Sequence, residues 1–280
     1  MPPTTYLDTI LAAHRARAAA DRRDLDALVA AAAAMPAARP FADAVRSIPG
    51  AGGLAVIAEI KRRSPSKGAL DAALDPGEVA SDYEAGGAAC LSVLTDGEFF
   101  GGSAADLGAA REAVGLPVLR KDFTVSAADV CDARIMGADA VLLIVAALSD
   151  GELAELGTLG RRLGMAVLVE AHDEAEVGRA LESGADLVGV NQRDLVTFEV
   201  DTDRAVRVAG TIPAGVLAVA ESGVAGPDDA ARLAGAGYEA VLVGETLMRS
   251  GNRQAAVAAL AGHSVSRRRG QVPVPDQGGR

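Results

Sequence analysis

Tryptophan is absent, and aromatic residues make up only 3% of the 280 positions. A core built without large rings has to be assembled from Ala, Val and Leu. Half of the residues are apolar, so a sizeable core is available. Cysteine is nearly missing as well. Cys90 and Cys131 lie in or beside apolar patterns and form no C-x-x-C or Cys/His cluster. That argues against a disulfide framework and against a metal site, and reads as reduced structural cysteine in a cytoplasmic protein. Positive charge is not in excess; the net charge is −11. No nucleic acid and no anionic membrane surface is therefore expected as partner, although a local basic pocket can still take a small anion. Long hydrophobic runs are lacking too. The run from Ala138 to Leu148 contains Asp139 and is far too short for a bilayer. Asp8, Asp21 and Asp24 interrupt the N-terminal region, so no targeting peptide is expected there.

What the chain does have is a repeat. Gly137-Ala138-Asp139-Ala140-Val141, Gly184-Ala185-Asp186-Leu187-Val188 and Gly237-Tyr238-Glu239-Ala240-Val241 share one form, and Gly87-Ala88-Ala89-Cys90-Leu91 is a weaker copy. Each follows an Ala-rich amphipathic stretch and precedes a short apolar run, as when a glycine ends a helix and a strand follows. Gly115-Leu116-Pro117 and Gly164-Met165-Ala166 read the same way. The runs predict strands near Ala55–Ile60, Ala89–Leu94, Pro117–Lys121, Asp139–Val145, Ala166–Glu170, Asp186–Asn191, Val216–Glu221 and Glu239–Gly244. They are continuous rather than alternating, as parallel strands covered by helices should be. The pattern predicts an α/β fold, a (β/α)8 TIM barrel with an N-terminal helical extension. A doubly wound sheet is the alternative, but no G-x-G-x-x-G follows the first strand. Residues 1–53 form the extension in this reading, with helices over Tyr6–Ala20 and Leu25–Ala34. In the first of these, Tyr6, Ile10, Leu11 and His14 share a side. Residues 54–263 form the catalytic barrel, and 264–280, rich in Arg, Pro and Gly, read as a disordered, solvated tail.

Charge sits where this barrel should have its core. Glu59 and Lys61 flank the end of the first strand two residues apart, so they project to the same side. Such barrels carry their sites at the C-terminal strand ends. There stand Glu59 and Lys61, Lys121 with Asp122, Glu170, Asn191 with Arg193, Glu221 with Ser222 and Gly223, and Gly244 with Glu245. An unpaired buried charge costs several kcal/mol, so these groups have to be paired or used. Interleaved Lys and Glu suit acid–base catalysis. Lys121, crowded by Lys61 and partly buried, is expected to hold its proton less tightly than an ordinary lysine. Gly223 and Gly244, after the seventh and eighth strands, suit a phosphate site, with the Glu245 side chain turned away and its N–H donating. Phe99, Phe100 and Phe123 suit a flat apolar part of a substrate, and Arg193 a carboxylate. The loop Arg62–Leu70, with Ser64-Pro65-Ser66 at its centre, has the make-up of a lid.

The segments "EIKRRSPSKG", "SVLTDGEFFGGS", "LRKDF", "DAVLLIV", "LVEAHD", "VGVNQRDL", "VAESGV" and "VGETLM" occur in this order between about Phe41 and Met248. In this the chain resembles the indole-3-glycerol phosphate synthase family. The resemblance implies a lyase of tryptophan biosynthesis that needs no cofactor. Its substrate would be 1-(2-carboxyphenylamino)-1-deoxy-D-ribulose 5-phosphate, cyclised, decarboxylated and dehydrated to indole-3-glycerol phosphate. By the same resemblance Lys121 is the general acid of ring closure. Lys61 binds the substrate's anionic groups and is implied as a proton donor in the dehydration. Glu59 and Glu170 complete the proton transfers, Asn191 and Ser222 support them, and Arg193 and Glu221 touch substrate. Ser64 helps to hold the carboxylated ring, and Gly223, Gly244 and Glu245 fall on the phosphate segments. Departures from the family pattern are Gln192, Glu245 and Thr124, none of which removes a proton-transfer group.

Two rival readings stand beside this one. Another phosphosugar barrel enzyme, such as phosphoribosylanthranilate isomerase, would use one Cys and one Asp, for which Cys90 and Cys131 are poorly placed. A non-catalytic metabolite-binding barrel would need no paired Lys and Glu. The expected partner is a small phosphorylated substrate, and the expected state is a monomer or weak homo-oligomer.

Overall fold

The computed structural model describes residues 5–46, 53–64, 68–71, 73–194, 196–266 and 268. Eight parallel strands close into a barrel, and helices run back between them. The strands are β1 (Ala55–Ile60), β2 (Cys90–Leu94), β3 (Val118–Lys121), β4 (Ala140–Ile144), β5 (Ala166–Ala171), β6 (Leu187–Asn191), β7 (Leu217–Glu221) and β8 (Ala240–Val243). Each pairs with its neighbours in the chain, and β8 closes on β1 with Ala240 opposite Ala55. Every residue of β1 is buried, which is why its apolar run is continuous rather than alternating.

The repeated glycine does what its position requires. Gly137 and Gly237 adopt φ of 92° and 99° at helix ends, a conformation that a Cβ would oppose. Helix starts are marked by short polar caps. Ser103, Ser126 and Asp173 each accept a backbone N–H of the helix that follows.

Three helices precede β1: α1 (Tyr6–Ala20), α2 (Leu25–Ala33) and α3 (Phe41–Arg46). α1 begins with a capping box between Thr5 and Asp8. It buries Leu7, Ile10 and His14, while Leu11 is half-buried against the core. Its residues reach the loops at the C-terminal end of the barrel: Arg15 donates to Ala147 O at 2.9 Å, and Tyr6 stacks edge-on against Phe99 and Phe198.

The C-terminal segment differs from the solvated tail expected of 264–280. Ser264 bridges Gly53, and Ser266 N donates to Ala234 O at 2.9 Å. Arg268 is buried, with its guanidinium on Glu239 and on the carbonyls of Gly237 and Val216. A planar cation with five donors can satisfy carbonyls that end strands and helices, which composition alone does not show. Arg267 and Arg269–Arg280 lie outside the described residues.

A candidate active site at the barrel mouth

A cavity of about 790 Å3 opens at the C-terminal ends of the strands. Of the singled-out residues all but Phe99 border it: Glu59, Lys61, Ser64, Phe100, Lys121 and Phe123 from the first half of the barrel, then Glu170, Asn191, Arg193, Glu221, Ser222, Gly223, Gly244 and Glu245. Leu142 and Leu242 make part of its apolar wall.

The charges fall into two sets. In the first, the Lys61 ammonium is in close contact with Glu59 Oε1. A Cβ on Gly244 would come within 2.3 Å of that carboxylate and 3.1 Å of the Lys61 Nζ, so a side chain there would displace the pair from its place beside β8. In the second set, Lys121 Nζ lies 2.7 Å from Glu170 Oε2 and 3.4 Å from Glu221 Oε2. Asn191 Nδ2 donates to the other Glu170 oxygen at 3.0 Å. Asn191 and Glu221 are register partners on β6 and β7, which carries Asn191 to this cluster. A Cβ on Gly189 would sit 2.0 Å from Glu221 Oε1, so β6 leaves that position empty for a carboxyl.

These contacts set the protonation states. Burial alone would drive a proton off Lys121, but Glu170, Glu221 and Glu59 outweigh it and hold the ammonium above the ordinary lysine range. This reverses the expectation of a weakened Lys121 proton. Lys61, the cation expected to crowd it, is engaged by Glu59 instead, and what faces Lys121 is negative. Glu170 is favoured by burial to take a proton, yet Lys121, His172 and Asn191 hold it below the usual carboxylate range. Glu221 goes the other way. Burial pushes it up, and the charge of Glu170 and a hydrogen bond to it add to the rise against the pull of Lys121. One buried cation therefore serves two carboxyls, of which Glu170 is held toward its ionised form and Glu221 toward its protonated form.

The anion end of the cavity lies by β7 and β8. Ser222 takes φ of 64°, a left-handed conformation uncommon for a residue with a Cβ, and Gly223 follows at 71°. Gln192 supports this turn by donating to Ser222 O at 2.8 Å, which gives this side chain a structural task. Glu245 does not turn away as expected. Its carboxylate lies 3.8 Å from Arg193 Nη2 and 3.4 Å from Arg249 Nε, because two guanidinium groups on the cavity wall attract it. Arg249 was not singled out from sequence; its place four residues after Glu245 on a helical turn is the signal that could have found it.

The aromatic wall is also partly different. Phe100 and Phe123 line the cavity with ring centroids 6.1 Å apart. Phe99 packs on Tyr6 of α1 instead, and Phe198, with φ of 61°, takes a place on the wall. Asp122 is kept out of the proton-transfer set by Arg120 Nη2 at 2.9 Å and by Thr95. With His14 and Asp96 it forms a buried acidic group, but Arg17 and Arg120 already balance both carboxylates, which leaves no charge for a cation to neutralise. Cys90 and Cys131 are free and buried. Ser64 reaches the cavity from a short hairpin with Gly68–Ala69; the loop tip, Pro65 to Lys67, lies outside the described residues.

A family model described as indole-3-glycerol phosphate synthase matches residues 7–260. The chain belongs to the indole-3-glycerol phosphate synthase family. Curated relatives carry that same description. One from Mycobacteroides abscessus is 49% identical over 260 residues, covering 93% of this chain and 95% of its own. One from Rhodococcus jostii is 52% identical over 258 residues, covering 91% and 94%. One from Beutenbergia cavernae is 56% identical over 207 residues, covering 74% and 77%. Among solved structures, a thiamine phosphate pyrophosphorylase from Pyrococcus furiosus aligns with a TM-score of 0.55 at 14% identity, over 74% of this chain and 93% of that one. That likeness reflects the shared barrel fold. Membership of the synthase family sets aside both the isomerase and the non-catalytic barrel. Among the described residues no helix is long and apolar enough to cross a membrane.

Proposed function

We propose that this chain acts as the decarboxylating lyase its family is named for, and that the two charged sets at the mouth divide its chemistry. The reaction converts 1-(2-carboxyphenylamino)-1-deoxy-D-ribulose 5-phosphate to indole-3-glycerol phosphate in tryptophan biosynthesis. Ring closure needs an acid at the ribulose carbonyl while the aryl carbon attacks it. Lys121 is that acid. The observation that carries the reading is its ammonium set between Glu170 and Glu221 at the centre of the cavity. The same carboxyls keep it protonated at physiological pH, and a developing alkoxide is basic enough to take the proton. Loss of carbon dioxide then restores the aromatic ring without a further protein group. Dehydration needs an acid at the departing hydroxyl and a base for the adjacent C–H. Glu59, Lys61 and Glu170 border the same cavity and can fill these roles, with Asn191 and Ser222 in support.

The rest of the cavity fits the substrate's two ends. Phe100 and Phe123 face the carboxyphenyl ring, with Ser64 and Arg193 for its carboxylate. Gly223, Gly244 and the Glu245 backbone take the phosphate, with the Lys61 ammonium beside Gly244. We take the enzyme to work as a monomer or weak homo-oligomer in the cytoplasm, with no nucleic acid partner.

The test is turnover of this substrate followed by indole fluorescence, with Lys121→Ala alongside. Product from the wild type and almost none from the folded variant is expected. A folded wild type that binds the substrate without turning it over would sink the reading, and an active Lys121→Ala protein would remove the acid from Lys121.

A further inference from the structure

One residue beside the cluster has so far no part in the chemistry. His172 follows Glu170 by two positions and stands just past the end of β5, with its ring 3.8 Å from the Glu170 carboxylate. It does not border the main cavity. It borders instead a separate one of about 360 Å3, together with Arg204 and Asp194.

Its hydrogen bonds decide its tautomer. Glu176 Oε2 takes the His172 backbone N–H at 2.8 Å and lies 3.0 Å from Nδ1. A carboxylate only accepts, so Nδ1 carries a hydrogen. Nε2 is then directed toward Glu170 Oε1, 3.8 Å away, and has no hydrogen-bond partner among the described residues. In a neutral ring that nitrogen would turn a lone pair toward a carboxylate oxygen. A protonated ring turns a positive N–H toward it. The charged groups facing the ring are Glu170 from β5, Glu176 from the following helix, Asp194 from the loop after β6 and Arg204 from the helix beyond. Asp173, Glu174 and Arg207 also border the smaller cavity. Carboxylates outnumber cations around it. Burial opposes the ring's charge, but Glu176 and Glu170 outweigh burial and Arg204, and hold the imidazole above its ordinary range.

The two carboxyls on Lys121 differ in their other partners. Glu170 has Asn191 and His172. Glu221 Oε1 has no hydrogen-bond partner among the described residues. We propose that His172 is a positioning residue that makes Glu170, rather than Glu221, the ionised partner of Lys121. The shared proton then stays on Glu221, and Glu170 enters the reaction as a fixed carboxylate. The inference rests on the roles proposed above only for its kinetic consequence.

The test is a carboxyl-13C NMR titration of glutamate-labelled protein, wild type against His172→Gln, with resonances assigned through Glu170→Gln and Glu221→Gln. In the wild type the transition above the ordinary carboxylate range is expected on Glu221 and hardly on Glu170. In His172→Gln it is expected on both, with comparable amplitude, while kcat falls about tenfold and KM moves less than about twofold. A folded His172→Gln protein in which Glu221 alone still records that transition overturns the proposal. Should that variant not fold, Glu176→Gln leaves the ring in place and removes its anchor. It is expected to spread the transition in the same direction by a smaller amount, and an unchanged titration would again overturn the proposal. If the titration spreads but kcat is unchanged, the proton placement stands and the catalytic role given to Glu170 fails instead.

Discussion

The two ends of the barrel bury the same kinds of charge and treat them in opposite ways. At the N-terminal end Asp139 is wholly inaccessible and every approach to it is a donor. Arg39 N and Val118 N lie at 2.8 and 2.9 Å, and Arg111 Nη2 at 3.0 Å. Glu239, half-buried, is held by Ala218 N at 2.9 Å and by Arg268. Both acids belong to the repeated segment that starts a strand. At the mouth one lysine serves two carboxyls, a Glu221 oxygen lacks a hydrogen-bond partner among the described residues, and two glycines keep side chains out of the way. A fully satisfied buried carboxylate stabilises the fold it joins. A cluster with more acceptors than donors leaves a proton undecided, which costs stability and is what proton transfer needs. Burial does not separate Asp139 from Glu170 and Glu221; completeness of hydrogen bonding does.

Removing the central cation should have the largest effect of any single change at the mouth. Lys121→Ala is expected to lower kcat by about 10^3-fold, within the range for loss of a positioned acid. Its stability loss should be about 1 kcal/mol, below the usual cost of orphaning a buried charge, because Glu170 can take up a proton and Glu221 is already held toward its protonated form. Steady-state kinetics and urea melts on the same samples check both. More than a tenth of wild-type kcat in the folded variant would break the contrast at the mouth.

The opposite end should answer with the opposite balance. Asp139→Ala takes the acceptor from the Arg39 and Val118 backbone N–H groups and removes the ion-pair partner of the Arg111 guanidinium, which keeps Gly137 O. A loss of about 3 kcal/mol in urea unfolding is expected, with kcat of the folded fraction within about twofold of wild type. A folded Asp139→Ala protein with unchanged stability would show that the N-terminal carboxylates do not stabilise the barrel.

Which of these features the sequence displays depends on how local they are. β1 is legible to the residue because its run is apolar throughout and bounded by charge. Glu59, Lys121, Glu170, Asn191 and Glu221 are legible as a ring because each closes such a run. The partner of a given charge is not legible, since it comes from across the barrel. Lys121 therefore looked crowded by Lys61, while in space it faces β5 and β7. His172 was hidden for the same reason, because its link to Glu176 and its approach to Glu170 depend on how β5 meets its helix. Arg268 was hidden by its neighbours, because an Arg- and Gly-rich stretch carries no period to show that one arginine turns inward.

That arginine gives the next smaller effect. Arg268→Ala removes hydrogen bonds to Glu239 and to two carbonyls at the base of the barrel. A loss of about 2 kcal/mol is expected, with kcat and KM unchanged. The same urea melts read it. A variant as stable as wild type would return this segment to a solvated tail and leave Glu239 as a surface acid.

The smallest effect is the most diagnostic, because it should have the sign of a gain. Glu221 is held above its ordinary carboxylate range in the fold, by burial first and then by Glu170. As pH rises past that ordinary range, an unfolded chain releases this proton while the folded chain keeps it. The folded state then binds more protons, so stability falls with rising pH until Glu221 ionises in the fold, and levels off beyond. Glu221→Gln has no proton to lose. Its stability relative to wild type should climb through that window and end about 1 kcal/mol or more ahead, one pKa unit being worth about 1.4 kcal/mol. Urea melts from about pH 5 to about pH 9 would trace the divergence. Parallel curves would mean that Glu221 is ionised like any other carboxylate, and the mouth would then lose the undecided proton that sets it apart from Asp139.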